Sequence, residues 1–278
     1  MRPESYSVLN TVSALRAQEN GGKPLVAEKE LETRLCELTE GEEVSIVIFN
    51  CLDFDWEKNN NETYPKSIIR TDTNTSIAGY FQEDILRIME AFENLGNPKL
   101  NIIVPDSEIF DIRPFSFAQS LSERKEIADI VKSSLPNQLS IITQKYEEPV
   151  TFWSEYCSDN GLKTPYDYTT EANLMIKGKP ELLKKVEEQA KKDSLKYFAS
   201  KGSAEGIDPK EQLERTSWYL SMYAGEGRAL KESRAIVINL EDGRVPAWFQ
   251  RGADNSLPIL TPVDFKKYSS WKKLKNGS

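Results

Sequence analysis

The chain contains no histidine. That excludes Ser-His-Asp triads, Cys-His dyads, HExxH metal sites and Cys2His2 fingers. Acid–base work near neutral pH is then left to Asp, Glu, Tyr, Lys, Cys or the substrate's own groups. Cysteine is scarce: Cys36, Cys51 and Cys157 form an odd set without CxxC spacing, so neither a disulfide framework nor a zinc ribbon is expected. No GxGxxG or GxxxxGK[ST] follows any apolar run, so a dinucleotide fingerprint and an ATP-binding P-loop are both missing. No stretch approaches the ~18–20 apolar residues of a membrane span. The opening Met1-Arg2-Pro3-Glu4-Ser5-Tyr6 lacks the apolar run of a signal peptide. The expectation is a soluble cytoplasmic protein, with no metal and no cofactor.

What is present is ordinary globular material. The chain has 278 residues, 38% hydrophobic and 29% charged, with a net charge of −8, enough for one sizeable core. Residues 1–25 read as a flexible N-terminal arm with Gly21-Gly22 and Pro24, and 26–278 as a single α/β domain. Residues 26–40 place Leu31, Leu35 and Leu38 at helical spacing among glutamates, which predicts an exposed acidic helix ended by Gly41. Val44–Phe49 is a near-continuous apolar run, the pattern of a strand buried on both faces. Residues 52–75 read as a long loop, which in a compact domain is usually functional or mobile. Tyr80, Phe81, Ile85, Ile88, Met89 and Phe92 then give one helix face, stopped by Gly96-Asn97-Pro98.

Leu100–Asp106 is a second apolar strand, completing a βαβ unit with parallel neighbours. Phe115–Val131 reads as a helix carrying Arg124 and Lys125, with Lys132 next, and Leu139–Thr143 as a third strand. Residues 150–230 hold helical segments, the clearest at 180–198, and Arg234–Asn239 reads as a further strand. The fold class expected is α/β: a Rossmann-like three-layer sandwich with a mostly parallel sheet. Ligands in such sheets bind beyond the carboxyl ends of the strands, near a switch in strand order. Here that rule points to Asn50-Cys51, Asp106 and Asn239.

Several segments, in this order, carry a resemblance to a known family: Gly79-Tyr80-Phe81-Gln82-Glu83-Asp84-Ile85-Leu86, Asn101-Ile102-Ile103-Val104-Pro105-Asp106, Trp218–Glu226, Ser233–Asn239 and Phe249-Gln250-Arg251-Gly252. Together they resemble the tRNA-dependent cyclodipeptide synthases, whose fold is similar to class I tyrosyl- and tryptophanyl-tRNA synthetase catalytic domains. The resemblance implies two aminoacyl-tRNAs as successive substrates, no ATP, and a ping-pong course through an acyl-enzyme. It implies Ser76, Thr75 or Cys51 as nucleophile, Glu226 as the carboxylate serving the amine, and Tyr219 and Tyr223 beside it. Tyr80, Asp106 and Asn239 are the candidates to surround the substrate, and the resemblance implies tRNA phosphate contacts from the helix that carries Arg124 and Lys125, with Lys132 beside them.

The departures are specific. The family's serine follows its first strand directly, whereas Cys51 holds that place here and an extra loop precedes Tyr80. The family's tyrosine four residues before the glutamate is replaced by Met222. The tyrosine ending its last strand is replaced by Ile238 or Asn239. This divergence resembles the fungal branch that makes arginine-containing cyclodipeptides. An arginyl guanidinium requires a carboxylate partner, for which Asp53, Asp55, Glu57 and Asp72 in the loop are available. Lysines in 177–201, including Lys184 and Lys185, form either a solvated face or a phosphate track. Two other readings stay open: a Rossmann-like enzyme acting on a small metabolite, and a non-catalytic protein that binds tRNA or another partner.

Overall fold

The computed structural model describes residues 3–17, 29–50, 55–59, 62–67, 76–106, 121–188, 209–240, 259–260 and 269–270. Three apolar runs pair first. β1 (Glu43–Phe49) lies parallel to β4 (Asn97–Val104), with Ile46 opposite Leu100 and Phe49 opposite Ile103. On its other side β1 lies parallel to β6 (Ile236–Ile238), with Val47 opposite Val237. The short strands β5 (Val150–Phe152) and β7 (Ile259–Leu260) extend the sheet to the order β5-β4-β1-β6-β7, and every neighbouring pair is parallel. A separate antiparallel pair, β2 (Asp55–Asn59) and β3 (Glu62–Ser67), occupies part of the segment expected to be a loop.

Strand side chains alternate between two cores, as the period of two requires. Val44, Ile46, Ile48, Leu100, Ile102, Val104, Ile236 and Ile238 join the first. Val47, Ile103, Ala235 and Val237 join the second. The first core is closed by α1 (Pro3–Ala17), α2 (Lys29–Glu37), α3 (Ile77–Tyr80), α4 (Gln82–Glu93), α5 (Leu121–Gln138) and α6 (Ser140–Thr143). The second is closed by α7 (Trp153–Asp159), α8 (Pro165–Lys177) and α10 (Pro209–Glu232), with a helical run at 180–188, α9, packing Val186 against α8 and α10. The result is the expected three-layer α/β sandwich with a parallel sheet. Among the described residues no helix is long and apolar enough to cross a membrane.

The helices follow from local chemistry. In α4, Ile85, Ile88, Met89 and Phe92 are fully buried at three- and four-residue spacing, each burial contributing about 1.5–3 kcal/mol. In α8, Thr164 Oγ1 accepts from Asp167 N–H at 3.2 Å, Asp167 Oδ2 accepts from Thr164 N–H at 3.3 Å, and Pro165 fills the first helical position. That reciprocal pair is a capping box. Pro98 is tolerated inside β4 because Asn97 N–H turns toward Glu42 O at 2.8 Å while β5 pairs only from Ile102 onward. Its missing donor therefore faces no described strand.

Four expectations are corrected. Leu139–Thr143 is not a strand: Ser140–Thr143 is α6, with Leu139 and Ile142 buried and Ile141 39% exposed. Five apolar-rich residues cannot separate a strand from a buried helical turn, and burial three apart shows which one forms. The N-terminal arm is helical over Pro3–Ala17, with Ser5, Val8 and Val12 buried and Ser5 Oγ donating to Leu35 O at 3.3 Å. Its apolar stripe is too thin to stand out in sequence. The acidic helix α2 is not simply exposed, since Leu31, Leu35 and Arg34 are buried. Finally, α5 runs on to Gln138, beyond the expected end at Val131. Of the 180–198 helix, the part after 188 lies outside the described residues.

Candidate functional site

The strand order fixes where a site can form. From β1 the chain moves to β4 and then β5, and it returns to the other side of β1 as β6. The switch in direction therefore lies between β1 and β6, and the crevice rule places ligands at their carboxyl ends. Both strands end there in buried asparagines, Asn50 after β1 and Asn239 after β6. Asn50 is fixed by its N–H donating to Ile103 O at 2.9 Å, and its Oδ1 accepts from Ala78 N–H at 3.3 Å.

Through Asn50 the sheet edge takes hold of the start of α3. Ser76 caps that helix with extended backbone (φ −65°, ψ 144°), and its Oγ accepts from Gly79 N–H at 3.0 Å. Ser76 N–H in turn donates to Gln138 Oε1 at 3.1 Å. The serine is 4% exposed. Its oxygen receives an N–H at the positive end of a helical turn, an arrangement that stabilises charge developing on that oxygen. Tyr80, one helical turn further on, is half-buried against the first core and meets Phe81 edge-on at 5.0 Å.

On the other sheet face, Phe49 turns away from Asn50 and tilts against Trp153 at 5.3 Å, and Trp153 stacks on Tyr156 at 5.5 Å. Tyr223 of α10 packs into this same cluster. Asp106, just past β4, accepts from Ser154 N–H at 3.0 Å and from the Ser154 hydroxyl. Burial pushes the Asp106 carboxyl above its usual range, and the two Ser154 hydrogen bonds oppose that shift. Glu226 is a buried carboxylate on α10, 3% exposed.

Cys157 of α7 is buried in the second core. Burial, with the Asp106 and Glu226 carboxylates added, pushes its thiol up to about 12. A thiol held that high is inert, because the thiolate is the reactive form. Native-state alkylation at pH 8 should label exposed Cys36 and spare Cys157; peptide-level mass spectrometry reads the outcome, and labelling of Cys157 in the folded protein would contradict its burial.

The remaining sequence candidates distribute as follows. Lys132 is taken up in an ion pair with Glu155 and lies 4.4 Å from the Phe152 ring centroid. Lys125 of α5 and Lys184 and Lys185 of α9 are exposed. Asp55 opens β2 opposite Ser67. Tyr219 lies on α10 and Arg124 on α5, but their side chains are outside the described residues, as are Cys51, Asp53, Asp72 and Thr75 altogether. Two polar groups escaped the sequence reading. Gln138 and Ser154 carry no local signal, because each acquires its partner from across the fold, Gln138 from a residue 62 positions away and Ser154 from one 48 positions away.

No family model matches the chain, and no curated protein sequence matches it. Among solved structures, a CDPS from Staphylococcus haemolyticus aligns with 84% of this chain and 92% of its own, at a TM-score of 0.42 and 9% identity. A likeness of that size leaves the functional reading to the residues themselves.

Proposed function

We propose that this protein is an aminoacyl-tRNA-dependent cyclodipeptide synthase with Ser76 as acyl acceptor. The observation that carries the reading is the hold on Ser76: a buried serine capping α3, with an N–H aimed at its oxygen. It is reinforced by the motif resemblance of Gly79–Leu86 and by a buried glutamate on α10 at the position the resemblance assigns.

The chemistry needs no imidazole, because an aminoacyl ester arrives already activated. Ser76 Oγ attacks the ester carbonyl. A new Oγ–acyl bond forms, the ester bond to the ribose oxygen breaks, and the serine proton passes to that departing oxygen. The amine of a second aminoacyl-tRNA then attacks the acyl-serine: the peptide bond forms, the Oγ–acyl bond breaks, and one proton of the attacking amine passes to Oγ. Glu226 is the group that holds the incoming ammonium and takes its proton. The free amine of the resulting dipeptidyl ester finally attacks its own ester carbonyl, closing the six-membered ring and releasing the second tRNA. Arginyl-tRNA is the proposed first substrate, its guanidinium met by acids of the 53–72 segment, among which Asp55 begins β2. The exposed lysines of α5 and α9 are the proposed phosphate contacts.

Incubation of the purified protein with charged tRNAs should yield a diketopiperazine and an aminoacyl adduct visible by intact mass. Binding of charged tRNA with neither adduct nor product would favour the non-catalytic reading instead.

A further inference from the structure

We infer that Gln138 is a positioning residue for Ser76, an assignment that rests on Ser76 being the acyl acceptor. Gln138 ends α5, is 7% exposed, and its Oε1 accepts the Ser76 N–H at 3.1 Å. Three side-chain acceptors hold the segment from 76 to 79: Gln138 takes the N–H of Ser76, Asn50 that of Ala78, and Ser76 Oγ that of Gly79. Of these, only Gln138 grips the main chain of Ser76 itself. Rotation there swings the Cα–Cβ bond and with it the oxygen that must meet the ester carbonyl, and a misplacement of about 1 Å can cost on the order of 10²-fold in rate.

The grip is itself anchored. α5 is tied to the sheet edge through Lys132, paired with Glu155, whose Oε2 also accepts from Thr151 Oγ1 at 3.1 Å and Phe152 N–H at 2.9 Å. Just beyond α5, Ile141 N–H donates to Gln82 Oε1 at 3.1 Å, so the α5–α6 unit holds the α3–α4 unit at two points. Lys125, exposed and proposed to meet tRNA phosphates, belongs to the same helix as Gln138. The helix that would seat the tRNA therefore also sets the serine's backbone.

A purely structural role would show as lost stability without a specific loss of acylation. Gln138→Met keeps length and volume while removing the acceptor; Gln138→Glu keeps an acceptor oxygen. The readouts are single-turnover acylation of Ser76 at saturating charged tRNA, tRNA Kd, and the thermal midpoint. Gln138→Met should slow acylation roughly tenfold or more with tRNA Kd within about twofold of the parent, and Gln138→Glu should recover most of the rate. If Gln138→Met does not fold, Gln138→Asn, which withdraws the amide by one methylene, takes its place under the same criteria. Acylation slowed less than about twofold, a Glu variant as slow as the Met variant, or a loss confined to tRNA affinity would each overturn the assignment. A parent protein that forms no adduct on Ser76 would remove the acyl-acceptor reading and this assignment together, whereas a normal parent with an unaffected Gln138→Met would remove this assignment alone.

Discussion

Replacing Ser76 with alanine should abolish the aminoacyl adduct and lower cyclodipeptide formation on the order of 10³-fold or more, in a protein that still folds. The structural cost is limited. Gly79 N–H loses its 3.0 Å acceptor, a missing helix cap worth about 0.5–2 kcal/mol. The bonds from Gln138 to the Ser76 main chain and from Asn50 to Ala78 N–H do not involve the hydroxyl and remain. Capping and nucleophilic roles separate with a second substitution. Ser76→Asn retains a capping oxygen but offers no hydroxyl to acylate, so it should restore stability and leave activity absent. Recovery of activity in Ser76→Asn would show that the hydroxyl is only a cap.

The second large effect concerns the platform that carries Glu226. Glycine inside a helix is normally a weakness, and Gly→Ala is normally stabilising by up to about 1 kcal/mol. At Gly225 the sign should reverse. A Cβ there would lie 2.8 Å from Thr169 N and Tyr168 C and 2.9 Å from Tyr168 O, all backbone atoms of α8. Backbone cannot swing aside, so α8 and α10 must separate. That strains the contacts of Ala172, Ile176, Leu220 and Ala224. Overpacking of this kind costs about 1–3 kcal/mol or more. The net expectation for Gly225→Ala is a loss of about 2 kcal/mol in urea unfolding, or a midpoint lowered by roughly 4–8 °C. Because Tyr223 and Glu226 flank the position, cyclodipeptide yield should fall with it. A stability gain would mean that the helices are not in the close approach described here.

Much of this architecture is written in local pattern. Val44–Phe49, Leu100–Val104 and Arg234–Asn239 are apolar enough on both faces to announce buried parallel strands, and they form the centre of the sheet. Helix α4 announces itself by its wide apolar face. Where the pattern is thin, tertiary contact decides. Leu139–Thr143 contributes to a helical turn because Leu139 and Ile142 share one buried side. The valines of α1 matter only because α4 lies beneath them. The three-residue β5 is a strand only because β4 offers an unpaired edge. The site divides the same way. Ser76 and Glu226 could be singled out from motif resemblance, and Asn50, Asp106 and Asn239 from their places at strand ends. The partners that hold them, Gln138 from α5 and Ser154 from α7, are polar residues in unremarkable surroundings until the chain folds.

The most direct measurement is the location of the aminoacyl group. The protein would be mixed with charged tRNA, quenched in acid, digested, and mapped by peptide mass spectrometry. A single aminoacyl mass increment is expected on the peptide containing Ser76, and it should be lost in Ser76→Ala. An increment on Cys51, or product formed with no acylated peptide at any time point, would contradict it.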